Sequence, residues 1–403
     1  MMMKKVLTIY GVFLILIWSY FMFFYPLKTL GDSNYGALAH AVFFSKLPLE
    51  WILLYGLIKK GWSSSWVDGI EHLTRLEWLK TTLYAFLLVL CYGLIRLPFN
   101  LLWFQIAHKE GTSHQPLADW FMEMALDLFF YWIILAIGLY VIRVLMAKFK
   151  RFWWFLLWLL ALPVAVFVIY IQPVWIDPLY EDFTQLEEGS LRTAIEKVTA
   201  DAGIENPTIL QVNMSEKVTT FNAYVTGIMG NARIVLWDTT LEGMEQDEIL
   251  FILAHEIGHY VKHHVYFGVG GYLVLNLVLF YITAILYKRI WLKLSEKSES
   301  YHSLRVMPIL LLTLSILLTI SQPISMYVSR QMEVAADRYA VEHTENLEPA
   351  INTYISLATQ SKGDINPVFW VKWIRFGHPP IAERIELIEK EIEKRETKSV
   401  TSP

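Results

Sequence analysis

Cysteine is all but missing from this chain. Cys91 is the only one in 403 residues, so neither an intramolecular disulfide nor a thiolate metal cluster can form. Charge is scarce too: Asp, Glu, Lys and Arg make up 18% of the residues, against about 25% in ordinary soluble domains. The net charge of −4 leaves no basic excess for a nucleic-acid partner. No tract is low in complexity and no segment repeats, which excludes the disordered, fibrous and collagen-like classes.

What is present is apolar surface. Hydrophobic residues make up 55% of the chain and aromatics 15%, with a mean hydropathy of +0.40. A helix crosses about 30 Å of hydrocarbon with roughly 20 apolar residues, and runs of that kind occupy residues 6–25, 81–104, 120–146, 152–171, 265–287 and 304–328. A seventh run, 38–58, is interrupted by His40, Lys46, Pro48 and Glu50, so it reads equally well as a re-entrant or interfacial segment. The first run follows Lys4 and Lys5. It is too long for a signal-peptide core and lacks a small-residue exit, and is expected to remain as an anchor. Trp103, Trp120, Trp153, Trp154 and Trp175 stand at run ends, as an interfacial belt requires. The lipid bilayer is therefore one partner of this chain.

Two polar blocks remain, 177–264 and 329–403, separated by a hairpin of the last two runs, so both can fold on one side of the membrane. This divides the chain into an N-terminal membrane region (1–175), a first polar segment (176–264), a transmembrane hairpin (265–328) and a second polar segment (329–403). In the first segment, 188–202 is helical in pattern and 208–213 strand-like. Residues 222–226 and 232–237, joined through Gly227, Gly230 and Asn231, read as a β-hairpin. The second segment is helical and ends in the charged stretch 381–397.

Loop charge gives an orientation. One set of loops carries Lys4 and Lys5; Lys59, Lys60, Arg75 and Lys80; Arg143, Lys148, Lys150 and Arg151; and Lys288, Arg289, Lys293, Lys297 and Arg305. The alternate loops carry Lys28, Lys46 and Lys109. With the basic loops cytoplasmic, both polar blocks face away from the cytoplasm.

The sharpest chemical signal is His255-Glu256-Ile-Gly-His259. Residues four apart share a helix face, so both imidazoles can reach one Zn²⁺ at about 2.0–2.1 Å. Glu245, Asp247 and Glu248 sit where a helix start favours negative charge. Glu256, next to the first ligand, is placed to take the proton of a water that the metal acidifies. A catalytic zinc takes three protein ligands and keeps a fourth position open. His263 lies about 12 Å along the helix from His255, too far to share its ion, and with His264 is read as interfacial. The second segment opens with Glu333-Val-Ala-Ala-Asp337. There Glu333 can complete a His₂Glu set, and Asp337 can accept the second N–H of a ligand histidine. Arg96, Glu123 and Asp127 lie within membrane runs and are given no catalytic role.

Taken together, His255-Glu256-x-x-His259, Glu333-x-x-Ala336-Asp337, Asn222-Ala-Tyr-Val-Thr-Gly227 and His378-Pro-Pro-x-x-x-Arg384 resemble the CAAX prenyl protease type I family in order and spacing. Leu97-Pro-Phe-Asn100, Ile176-Asp-Pro-Leu-Tyr180 and the stretch from Arg233 to Thr240 extend the resemblance over most of the chain. It implies a mainly α, polytopic membrane protein. About seven transmembrane helices would form a chambered barrel, with a small α+β zinc-metallopeptidase domain at one membrane face. It also implies one Zn²⁺ per chain on His255, His259 and Glu333, with Glu256 as general base and Asp337 behind a ligand. Asn222, Ala223 and Tyr224 would hold the substrate main chain at a strand edge, His378 would face substrate or oxyanion, and Arg384 would brace the site.

The expected activity is therefore zinc-dependent peptide-bond hydrolysis. Eukaryotic members of the family trim farnesylated CAAX carboxyl termini on the cytosolic side of the endoplasmic reticulum. The basic loops here oppose that orientation, and the short start and compact size resemble a bacterial member, for which a cell-membrane location is expected. Short or unfolded peptides are the expected substrates, with CAAX-type processing implied by the resemblance alone. The competing classes are a membrane transporter or zinc-handling protein and an inactive scaffold of the same family. The first would need metal ligands inside the spans, and the second is opposed by an intact His255, Glu256, His259 and Glu333.

Overall fold

The computed structural model describes residues 2–227, 232–294 and 299–401. Gly230 and Asn231 of the expected hairpin turn, and Lys297 of the basic loops, lie outside the described residues. In hydrocarbon every backbone N–H and C=O must be satisfied within its own segment, so each apolar run forms a helix. The helices are α1 (Met2–Ser19, running on through a π-turn to Phe24), α2 (Tyr35–Lys46), α3 (Leu49–Lys59), α4 (Trp62–Leu73), α5 (Glu77–Glu110), α6 (Leu117–Lys148) and α7 (Trp153–Ile171). After the first polar block come α8 (Ser190–Asp201), α9 (Asp238–Gly243), α10 (Gln246–Val261) and α11 (His264–Leu294). The chain ends in α12 (Met307–His343), α13 (Glu348–Ser361), α14 (Phe369–Arg375) and α15 (Ile381–Thr401).

Six of these stretches are long and apolar enough to cross a membrane, and a seventh is reached if α7 and the bent turn after it count as one. The interrupted run is among them: α2 and α3, broken at Leu47 and Pro48, together give a 25-residue candidate span. Its His40 is buried in the bundle, which explains why hydropathy along the sequence made the run look weak.

The basic loops gather at one end of the bundle. Arg305 donates to Asp68 and Glu71 of α4, and Arg143 donates to the His302 carbonyl at 3.0 Å and to Glu77 at 2.9 Å. The two polar segments meet the loops at the opposite end. There the His114 N–H bonds the Lys217 carbonyl, the Thr219 N–H bonds the Thr112 carbonyl, and the Ile365 N–H bonds the Lys28 carbonyl. Glu123 and Asp127 belong to this end. Glu123 pairs with Lys217 at 2.6 Å and Asp127 accepts the Tyr180 hydroxyl at 2.9 Å, so both fasten α6 to the first polar segment.

That segment contains a four-stranded sheet: β1 (Phe183–Gln185), β2 (Thr208–Val212), β3 (Ala223–Thr226) and β4 (Arg233–Trp237), in the order β1-β2-β4-β3. The expected hairpin is the antiparallel β3–β4 pair, while β2 runs parallel to β4. β3 is thus an edge strand. One face of the sheet packs on α10 through Ile209, Ala223, Ile234, Leu236, Leu253 and Ile257. On its other side α10 meets α12, α13 and α15 through Phe251, Ala340, Tyr354 and Ile388. Helix α10 is therefore clamped between the sheet and the second polar segment.

Candidate active site

Helix α10 starts with a reciprocal cap. The Glu245 side chain accepts from the Glu248 backbone, and the Glu248 carboxylate accepts the Glu245 N–H at 3.1 Å. This fixes the helix register, so that His255 and His259, one turn apart, point together toward α12. There they meet Glu333. His255 Nε2 lies 3.1 Å from His259 Nε2 and 3.3 Å from Glu333 Oε2, and His259 Nε2 lies 3.4 Å from Glu333 Oε1. Three ligands at about 2.0–2.1 Å from a tetrahedral ion stand about 3.3 Å apart, so these separations fit one ion at their centre. A second observation agrees: Glu333 Oε2 is buried and receives no well-aligned hydrogen bond, although His378 Nδ1 stands 2.8 Å away.

The outer nitrogens of both imidazoles are also engaged. His255 Nδ1 faces Asp337 Oδ1 at 2.8 Å. Asp337 in turn receives the Arg384 guanidinium on both oxygens and the Tyr354 hydroxyl at 2.8 Å. Such a carboxylate fixes the tautomer that leaves Nε2 free for a metal. Burial disfavours a charged His255, but its hydrogen bonds with Asp337 and Glu333 outweigh that and lift its pKa to about 9. Burial likewise opposes the Arg384 charge, and neighbouring Tyr354 and Asp337 hold its pKa above the ordinary arginine value. The guanidinium lies 4.4 Å from the Tyr354 ring centroid.

His259 Nδ1 faces His264 Nδ1 at 3.0 Å. The reading of His264 as merely interfacial therefore changes: the chain turns at His263, whose φ is +55°, and this brings His264 back beside the ligand. Spacing along a straight helix could not reveal it. His263 itself stays outside the cluster, as its helical distance required.

Glu256 is close to the cluster without joining it, with Oε1 4.0 Å from His255 Nε2. His378 is exposed and reaches Glu333, as noted. Asn222 lies one residue before β3, not in it. Its N–H donates to Thr240 Oγ1 at 2.8 Å, and its carbonyl accepts from the Thr240 hydroxyl at 2.8 Å and from the Trp237 N–H at 3.1 Å. Both main-chain groups are taken, so the exposed side-chain amide is what Asn222 offers a ligand. The buried Thr240 that locks it was not identifiable as a site residue from sequence. Ala223 is buried against α10, and Tyr224 lines a separate cavity of about 580 Å³ with Tyr180 and Trp237.

The meeting of α10 with α12 depends on Gly258. A Cβ there would lie 3.1 Å from Tyr339 Cβ and 3.2 Å from Ala336 Cα. Gly258→Ala is expected to cost about 1–3 kcal/mol through overpacking and to weaken metal binding by separating the imidazoles from Glu333. Thermal melting and metal titration of the purified variant check both effects.

With this geometry described, comparison with known proteins adds the following. The family model for peptidase family M48 matches residues 185–392. The model described as CAAX prenyl protease N-terminal, five membrane helices, matches residues 2–182. The chain is 38% identical over 372 residues to the uncharacterized metalloprotease YhfN of Bacillus subtilis, covering 92% of this chain and 87% of that one. It is 27% identical over 311 residues to CAAX prenyl protease 1 of Saccharomyces cerevisiae, covering 72% and 68%. The crystal structure of S. mikatae Ste24p aligns with a TM-score of 0.79 at 21% identity, over 96% of this chain and 99% of that one. That likeness shows a shared fold, a chambered barrel of membrane helices.

Proposed function

The chain belongs to peptidase family M48 and is an integral-membrane metalloprotease, and on that premise we propose that it is a zinc-dependent endopeptidase with His255, His259 and Glu333 as ligands. The observation that carries this reading is the convergence of His255, His259 and Glu333, one ligand atom from each lying within 4.8 Å of the others and the two imidazole Nε2 atoms facing different oxygens of the one carboxylate at 3.3 and 3.4 Å; two nitrogen donors and a carboxylate are a donor set of catalytic zinc. When bound, zinc would supply Lewis acidity, lowering the pKa of the attacking water and polarising the scissile carbonyl.

The chain's own residues do the rest. Glu256 accepts the proton of the attacking water and delivers it to the leaving amine. His378, exposed at the rim beside Glu333, donates to the developing oxyanion. The free edge of β3 binds the substrate main chain by strand addition, and the Asn222 amide adds a side-chain contact. Asp337, with Arg384 behind it, keeps the His255 ring oriented throughout.

The substrates are short or unfolded peptides able to enter the chamber. The names of the eukaryotic relatives add CAAX-type processing as a narrower possibility for the same chemistry. Purified chain should cleave a quenched fluorescent peptide, stop on addition of a zinc chelator and resume when zinc is returned. Zinc flux through proteoliposomes without cleavage would contradict the reading.

The excess of Lys and Arg in the loops at the other end supports an orientation with the catalytic end on the non-cytoplasmic face of the membrane. Ser190, exposed at the start of α8, is a reporter for this. In intact cells a Ser190→Cys chain is expected to react with a membrane-impermeant thiol reagent added outside. Reaction only after lysis would reverse the orientation.

A further inference from the structure

A cavity of about 440 Å³ lies beside the proposed metal site and shares His378 and Arg384 with it. Trp103, Phe221, Leu357 and Phe376 line it, together with Arg375 and the Asp364 carboxylate. The two arginines differ in their partners. Arg384 is matched to both oxygens of Asp337. Arg375 makes no ion pair among the described residues. One of its N–H groups goes to His40 Nδ1, and its guanidinium lies 5.4 Å and 5.9 Å from the Phe43 and Phe376 ring centroids.

The nearest carboxylate in this network, Asp364, is already engaged. It accepts the Tyr25 hydroxyl, stands 3.2 Å from His40 Nε2 and takes the Asn366 N–H at 3.1 Å. The His40 ring separates it from Arg375. A guanidinium carries five N–H donors in a fixed fork, so Arg375 has donors left for a ligand in the cavity. Burial pushes its pKa down to about 10, against the opposing pull of Tyr25 and Asp364. A carboxylate entering the cavity would meet the geometry that an arginine fork matches best.

We infer that this cavity is a specificity subsite in which Arg375 binds a carboxylate of the peptide substrate. Apolar substrate side chains in the same cavity lie against Trp103, Phe221 and Phe376. The carboxylate is either the peptide's free carboxyl terminus or an Asp or Glu side chain. The inference rests on the proteolytic reading above.

Three matched peptides test it on the full-length protein: one with a free carboxyl terminus, one amidated, and one amidated but carrying Asp at successive positions beyond the cleavage point. One carboxylate-bearing peptide is expected to exceed the plain amide in kcat/KM by about tenfold to a hundredfold, as charge-assisted hydrogen bonds typically give. Which peptide wins identifies the source of the carboxylate. In Arg375→Gln the ratio should fall to about one, and Arg375→Lys should keep part of it. If wild-type enzyme cleaves all three equally, the subsite is overturned and the protease stands. If it cleaves none, the proteolytic reading itself fails. The wild-type comparison needs no variant, so a poorly folding Arg375→Gln leaves the test intact.

Discussion

Glu256→Gln is expected to keep its metal and its fold and to lose about 10²–10⁴-fold in kcat, the usual contribution of a positioned general base. Glu256 Oε1 stands 4.0 Å from His255 Nε2, outside the triangle of ligand atoms that His255, His259 and Glu333 form within 4.8 Å. The amide is isosteric with the carboxylate, so packing along α10 is unaffected. Only the capacity to take a proton is lost. Metal content measured beside peptide cleavage separates this from a ligand defect, which would lower both. A Glu256→Gln enzyme that still cleaved peptides at the wild-type rate would remove Glu256 from the mechanism.

Arg384→Met is expected to be the most destabilising single change near the site. Asp337 is 3% exposed, and its charge is balanced by the Arg384 fork. Removing one partner of a buried ion pair costs about 3–5 kcal/mol, because the other charge is left without compensation. Adding Asp337→Asn should recover part of that loss, since no bare charge then remains. Metal affinity should fall about 10–100-fold in either background, as it does when the partner orienting a ligand histidine is lost. Arg384→Lys should not rescue it, because an ammonium cannot match both carboxylate oxygens. Unfolding in detergent and zinc titration of wild type, Arg384→Met, Asp337→Asn and the double variant form a complete double-mutant cycle.

Much of this architecture could be read from residues alone, for identifiable reasons. Membrane helices are legible because hydrocarbon forces length and composition together. The span built from α2 and α3 was obscured because its polar residues face protein, as buried His40 and Ser45 do. The His255, Glu256 and His259 arrangement is legible because one helical turn sets its geometry. Glu333 and Asp337 follow from the same periodicity on α12. What stayed hidden needed tertiary contact: β1 is three residues long, Thr240 lies eighteen positions from the Asn222 it locks, and His264 reaches His259 through the positive-φ turn at His263. Periodicity carries no record of a chain reversal.

The central claim is that a helix before the transmembrane hairpin and a helix after it hold one ion between them. Zinc K-edge absorption on the purified chain, compared with Glu333→Ala, tests this most directly. The account predicts one zinc per wild-type chain, with two imidazole nitrogens and carboxylate and water oxygens at about 2.0–2.2 Å, and loss of both the ion and that spectrum in the variant. An unchanged zinc content and spectrum in Glu333→Ala would contradict it.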